Sequence, residues 1–224
     1  ADEIFSGYYD HTLQFLQEIK NKKYFTKELK NWKKKIQVHI RNPLFKNSNL
    51  YIDDSNYRDH IYNNHKHKLF LLKKNFNFLH KKFKEHQFCK PLMRNRMLNE
   101  LFFEGVPVIL HEEDLNCMNY SIENRAPYLD KKLIEFLYTI PTQILLQKGF
   151  TKFLLRMAGK SFVDKKILYD TKKIGFNFSI NSIIDVKSKE FNKIFLSKEN
   201  KIFKYVSRKK LKLFINEVKS NDDE

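Results

Sequence analysis

The chain has 224 residues and a formal net charge of +17, with 43 Lys and Arg against 26 Asp and Glu. Hydrophobic residues make up 42%, including 21 Phe and 11 Tyr, enough for a sizeable core, which excludes wholesale disorder. No apolar run approaches the roughly 20 residues of a membrane-crossing helix, and Cys89 and Cys117 stand outside any CxxC pair, which leaves no zinc pattern.

Residues 2–20 place Phe5, Tyr8, Tyr9, Leu13, Leu16 and Ile19 three and four apart, which predicts a helix. Asp2 and Glu3 fall in its first turn, where carboxylates favour the positive end of the helix dipole. Residues 21–60 are polar and weakly periodic, and Pro43 with Asn47-Ser48-Asn49 predicts a loop or short elements. Residues 61–104 are helical again, with Leu69, Leu72, Phe76, Leu79 and Phe83 on one stripe. Pro91 breaks that pattern before a helix over 92–103, and Gly105-Val106-Pro107 predicts a turn. Pro127 ends a stretch dense in charge, Asp130 is placed as an N-cap, and Leu129–Ile140 forms an amphipathic helix closed by Pro141. A short helix follows over 151–158, then a turn at 174–176, then Lys-rich helices with an acidic tail. Alternating β-branched residues are scarce, so the chain is expected to be mainly α.

The basic charge admits a nucleic-acid partner. The lysines are scattered, however, and the densest run, Lys33-Lys34-Lys35, is short, so nucleic acid is not the expected partner. Lys, Asn, Ile, Phe and Tyr are abundant together, as in an AT-rich coding sequence. His60, His65 and His67 match no metal-ligand spacing. A P-loop, a GxGxxG turn and a GxSxG elbow are all missing.

Four stretches stand out in order: Ala1-Asp2-Glu3-Ile4-Phe5-Ser6-Gly7-Tyr8, Ser121-Ile122-Glu123-Asn124-Arg125-Ala126-Pro127-Tyr128-Leu129-Asp130, Gly149-Phe150-Thr151-Lys152-Phe153-Leu154-Leu155-Arg156, and Lys172-Lys173-Ile174-Gly175-Phe176-Asn177. In this order they resemble the synthetase domain of the glutamine-hydrolysing asparagine synthetases, and the second stretch carries the strongest match. The resemblance runs over residues 1–180. Residues 21–100 contribute little and are taken as a variable helical insertion, and 181–224 as a Lys-rich helical tail. It implies the helical C-terminal portion of an α/β adenine-nucleotide domain of the PP-loop ATP pyrophosphatase type, with most of the sheet, the pyrophosphate loop and the glutaminase domain upstream of residue 1. The implied chemistry is an ATP-dependent amidotransferase with Mg, cytoplasmic, adenylating a carboxylate acceptor that glutamine-derived ammonia then attacks. The default product is asparagine from aspartate, and the isolated chain is expected to be inactive.

The resemblance implies roles residue by residue. Lys152 matches the lysine that stabilises adenylation, and Asp2 matches an acidic position on the magnesium and pyrophosphate side. Arg156 stands four residues after Lys152, so the two are expected to share a helical face and bracket a phosphate. His111, Glu113, Asp114, Glu123 and Arg125 fall in the acceptor region, where Glu123 and Arg125 also suit a buried structural ion pair. His111 and Leu115 replace two arginines of the family pattern, which keeps open a surface-polysaccharide or peptide carboxylate as acceptor. A basic nucleic-acid-binding module is the alternative from a different class.

Overall fold

The computed structural model describes residues 1–58, 71–73, 84–172, 185 and 188–221. Among them the chain is helical and contains no strand, only the isolated bridges Leu72–Val206 and Gln147–Phe150. It divides into two compact units: residues 1–57 with 84–173, and residues 58–83 with 174–224.

In the first unit the helix expected over 2–20 is broken in two. Helix α1 covers Asp2–Phe5, and Ser6 turns left-handed at φ 65°. The Gly7 N–H then returns to the Asp2 carbonyl at 2.9 Å. This closes the helix end as a left-handed cap does and aims the chain into α2, Tyr9–Glu18. Helix α2 buries Asp10, His11, Thr12 and Gln14 as well as Leu13, Phe15 and Leu16, so it is central rather than one-sided.

The loop expected after it is largely helical. Helix α3, Phe25–Lys35, forms because Phe25, Leu29, Trp32 and Ile36 repeat at helical spacing beneath a lysine-covered outer face. Trp32 is buried, and its indole N–H donates to Thr12 Oγ1 at 2.9 Å. Two short helices follow, α4 (Pro43–Lys46) and α5 (Asn49–Asp53); α4 is capped by the Asn42 side chain, and α5 buries Tyr51.

Residues 84–89 form no regular element and are clamped to helix α6, Leu92–Phe102. Asn99 accepts from the His86 N–H at 2.8 Å and donates to the His86 carbonyl at 2.9 Å. Asn95 accepts from the Phe88 N–H at 2.7 Å. Two buried amides thus stand in for the sheet partner this backbone lacks. The turn expected at 105–107 instead begins helix α7, Gly105–Met118. Pro107 sits in its first turn, where no backbone N–H is required.

Asp130 caps helix α8, Lys131–Thr139, by accepting from the Leu133 N–H at 3.0 Å. Arg94 of α6 closes the other end of α8 by donating to the Leu137 carbonyl at 3.1 Å and to the Ile140 carbonyl. Helices α9 (Thr142–Leu145), α10 (Phe153–Ala158) and α11 (Lys165–Tyr169) complete the unit. Ile4, Leu13, Leu16, Trp32, Met93, Met97, Leu137 and Leu145 anchor its core.

In the second unit, helices α12 (Lys189–Phe195) and α13 (Arg208–Asn221) realise the expected Lys-rich helices. Arg208 Nε donates to the Leu196 carbonyl at 2.7 Å, and the Ser207 N–H to the Leu71 carbonyl at 2.8 Å. The stripe expected over Leu69–Phe83, Leu72 apart, lies outside the described residues, as do His60, His65, His67 and the turn at 174–176.

Candidate functional site

Asp2 opens α1, and Lys152 stands just before α10. The structure brings them together, with Lys152 Nζ 3.1 Å from Asp2 Oδ1 and the side chains 30% and 26% exposed, so both stay within reach of solvent. A cavity of about 400 Å³ opens on the lysine side, lined by Tyr128, Lys152, Leu155, Arg156, Phe162 and Leu168 among others. A second, of about 270 Å³, opens on the aspartate side between Asp2, Glu3, Tyr8, Ile109, Pro127 and Tyr128. Tyr128 lines both, and Phe5 supports it edge to face at 5.8 Å.

Left-handed backbone delivers the lysine. Lys148, Gly149 and Lys152 have φ of 54°, 71° and 54°. Only glycine suits position 149, because a Cβ there would lie 2.7 Å from the Asn31 carbonyl oxygen as well as demanding a strained φ. Lys35 pins this turn from α3, donating to the Lys148 carbonyl at 2.8 Å with its ammonium 3.8 Å from the centre of the Phe150 ring. The Lys152 N–H donates to the Ser6 carbonyl at 3.2 Å, which joins two left-handed turns, one carrying the cation and one beside the carboxylate.

The expected shared helical face of Lys152 and Arg156 does not form, because Lys152 precedes the helix. Arg156 lines the larger cavity, yet its Nε donates to the Thr151 carbonyl at 2.8 Å and its Nη1 to the Leu168 carbonyl at 2.6 Å. It ties α10 to α11. Burial pulls its pKa down, against the opposing charge of Asp170. Glu3 turns away from the pair: it is buried and accepts from the Tyr8 hydroxyl at 2.6 Å. Burial alone would raise the Glu3 pKa, but hydrogen bonding led by Tyr8 leaves it lowered.

The acceptor-region residues spread out. His111, Glu113 and Asp114 lie on α7, all exposed. Val106, Ile109 and Leu110 of that helix line the smaller cavity, and Glu113 follows one turn later on the same face. Glu113 accepts from Asn124 at 2.8 Å, in the segment leading to Ala126–Leu129, which lines the same cavity. Glu123 and Arg125 do pair, but in solvent, with side chains 73% and 83% exposed; the expected burial is corrected. An ion pair so exposed contributes little to stability. Cys89 and Cys117 are both free.

Sequence reasoning missed a buried charged network. Arg96 of α6 is almost fully buried, with Nε 3.1 Å from Asp10 and Nη2 3.2 Å from Glu100 and 2.5 Å from Glu104. Its Nη1 reaches Glu85 at 3.1 Å, and His11 Nε2 lies 2.6 Å from Glu100. Asp10, His11 and Glu100 bring their ligand atoms within 4.8 Å of one another, the one such grouping among the described residues. Arg96 already supplies the positive charge a metal would bring. The i, i+4 spacing of Arg96, Glu100 and Glu104 was the visible signal, but it normally marks an exposed face.

Asp2 suits magnesium better than that buried cluster does. It offers a hard carboxylate oxygen at a cavity, with room for the waters and phosphate oxygens that magnesium keeps, and an ammonium beside it to meet a phosphate.

The chain belongs to the asparagine synthase family, whose sequence model matches residues 1–224. Asparagine synthetase [glutamine-hydrolyzing] 1 of Bacillus subtilis (strain 168) is 38% identical to it over 68 residues. That match covers 30% of this chain and 11% of the relative's length, so the chain spans a small part of that protein. No solved structure matches the chain. Among the described residues no helix is long and apolar enough to cross a membrane.

Proposed function

We propose that this chain supplies the phosphate-handling edge of an ATP-dependent amidotransferase, with Lys152 and Asp2 as its working pair. The observation that carries the reading is the 3.1 Å approach of Lys152 Nζ to Asp2 Oδ1 between two cavities. Family membership supplies the reaction class, an ATP-dependent amidotransferase that forms an amide.

ATP is the substrate that activates the carboxylate, and negative charge grows on its α-phosphate and on the departing pyrophosphate. Magnesium held through Asp2 would supply Lewis-acid charge on the phosphate oxygens. Lys152 does the rest of the electrostatic work. Its ammonium is fixed from two sides, by the left-handed backbone and by Asp2, so little reorganisation is needed as charge develops. Arg156 is a scaffold in this reading: it holds α10 against α11 and so fixes the wall behind Lys152. The helical unit is the edge of a nucleotide-binding α/β domain in a cytoplasmic parent that also carries the pyrophosphate loop and the glutaminase domain, and the isolated chain has no turnover of its own.

Lys152→Ala in the parent protein should lower acceptor-dependent ATP–pyrophosphate exchange by about a hundredfold or more, as loss of a preorganised charge does. Lys131→Ala, on an exposed helix face, is the matched control. Equal exchange in both variants would remove Lys152 from the chemistry. The default acceptor is aspartate, and a screen of aspartate against uronic-acid sugars and peptide carboxylates reads the choice directly.

A further inference from the structure

We propose that Gly7 is a positioning residue: the volume its missing side chain leaves is where the Asp2 carboxylate and the Lys152 side chain meet. Its functional meaning rests on the phosphate-handling role proposed above, but the geometry stands apart from it.

A Cβ built on Gly7 would lie 1.7 Å from Asp2 Oδ1, 2.5 Å from Asp2 Cγ and 2.6 Å from Lys152 Cε. Real Cβ atoms do not approach other atoms so closely, so something would have to move. The three nearest atoms, all inside 3 Å, belong to the ends of the two functional side chains rather than to backbone. Conformation does not explain the glycine either. Among the described glycines only Gly149 has a positive φ, so the backbone at position 7 is open to an L-residue. Gly7 also donates its N–H to the Asp2 carbonyl at 2.9 Å, a bond that alanine would keep. Position 149 is the counter-example, since a Cβ there strikes the Asn31 backbone and would disturb the fold itself.

A methyl group at position 7 therefore separates the ion pair and leaves the helices in place. Asp2 has to rotate off the glycine, and Lys152 has to lift toward its cavity. The α1–α2 turn thus sets the spacing of carboxylate and ammonium, a spacing that neither residue fixes alone.

Zero-length carbodiimide coupling on the full chain tests this, since it joins a carboxylate to an amine only in contact. The native chain should yield an Asp2–Lys152 isopeptide, read by peptide mass spectrometry. Gly7→Ala should reduce that product by about tenfold or more, because contact chemistry falls steeply with an ångström of misplacement. Its thermal midpoint should stay within a few degrees of native. Native-level coupling in Gly7→Ala overturns the proposal, and so does loss of cooperative melting, which would make the glycine a folding residue. A parallel arm adds magnesium pyrophosphate to the native chain. Slower coupling supports the phosphate-handling role, whereas unchanged coupling counts against that role and leaves the Gly7 result standing.

Discussion

Helices α6 and α7 are neighbours in the chain, yet they treat their residues in opposite ways. Helix α6 buries Arg94, Asn95, Arg96, Asn99 and Glu100 together with Met93, Met97 and Leu101. Helix α7 buries nothing and leaves Val108, Ile109, Leu115 and Met118 about half exposed. Side-chain polarity does not decide which helix lies inside. What decides it is whether each polar group has a partner waiting: Arg96 has four carboxylates, and Asn95 and Asn99 have the irregular backbone of residues 84–89 to satisfy.

The sharpest way to break this contrast is Arg96→Met. It strands the carboxylates of Asp10, Glu85, Glu100 and Glu104 without their cation, and urea unfolding should show a loss of about 3–5 kcal/mol. If stability holds, the network is not what keeps α6 inside. Asn99→Ala comes next, at about 1–3 kcal/mol, because it leaves the His86 N–H and carbonyl without partners. Hydrogen exchange at His86 and Phe88 should speed up first.

A smaller effect follows from His11. Burial is the largest single influence and alone would depress its pKa, but the Glu100 carboxylate and Asp10 together leave it above the ordinary 6.5. A group whose pKa is raised on folding adds stability that is full below its unfolded pKa and lost as pH rises through the folded one. The melting temperature should therefore fall as pH climbs from about 6 into the alkaline range. His11→Gln should flatten that decline, and an unaltered slope would assign it to other groups. On α7 the expected change is smallest: Val108→Ser or Leu115→Ser should shift stability by no more than about 0.5 kcal/mol, while precipitation on concentration decreases.

These residues also show what the sequence made legible. The cap of α8 and the short helix α10 could be read because their signals are local: Asp130 sits one residue before its helix, and Gly149 sits in the turn that leads into α10. Motif order pointed to Asp2 and Lys152, although no local rule joins residues so far apart. Helix α3 stayed hidden because its lysines outnumber its apolar stripe, and the break at Ser6 because nothing in that residue's chemistry demands a left-handed turn. The Arg96 network was invisible for a different reason. Its charges look like a solvated surface until α2 is packed against them, and only tertiary contact turns them into interior.

The backbone at Lys152 carries one last implication. A left-handed lysine costs roughly 1–2 kcal/mol that glycine would not. Selecting this chain for heat resistance alone should drive position 152 toward glycine, discarding the ammonium in the process. Laboratory evolution under thermal pressure, with and without a demand for turnover, would show whether robustness and chemistry compete at this one amino acid.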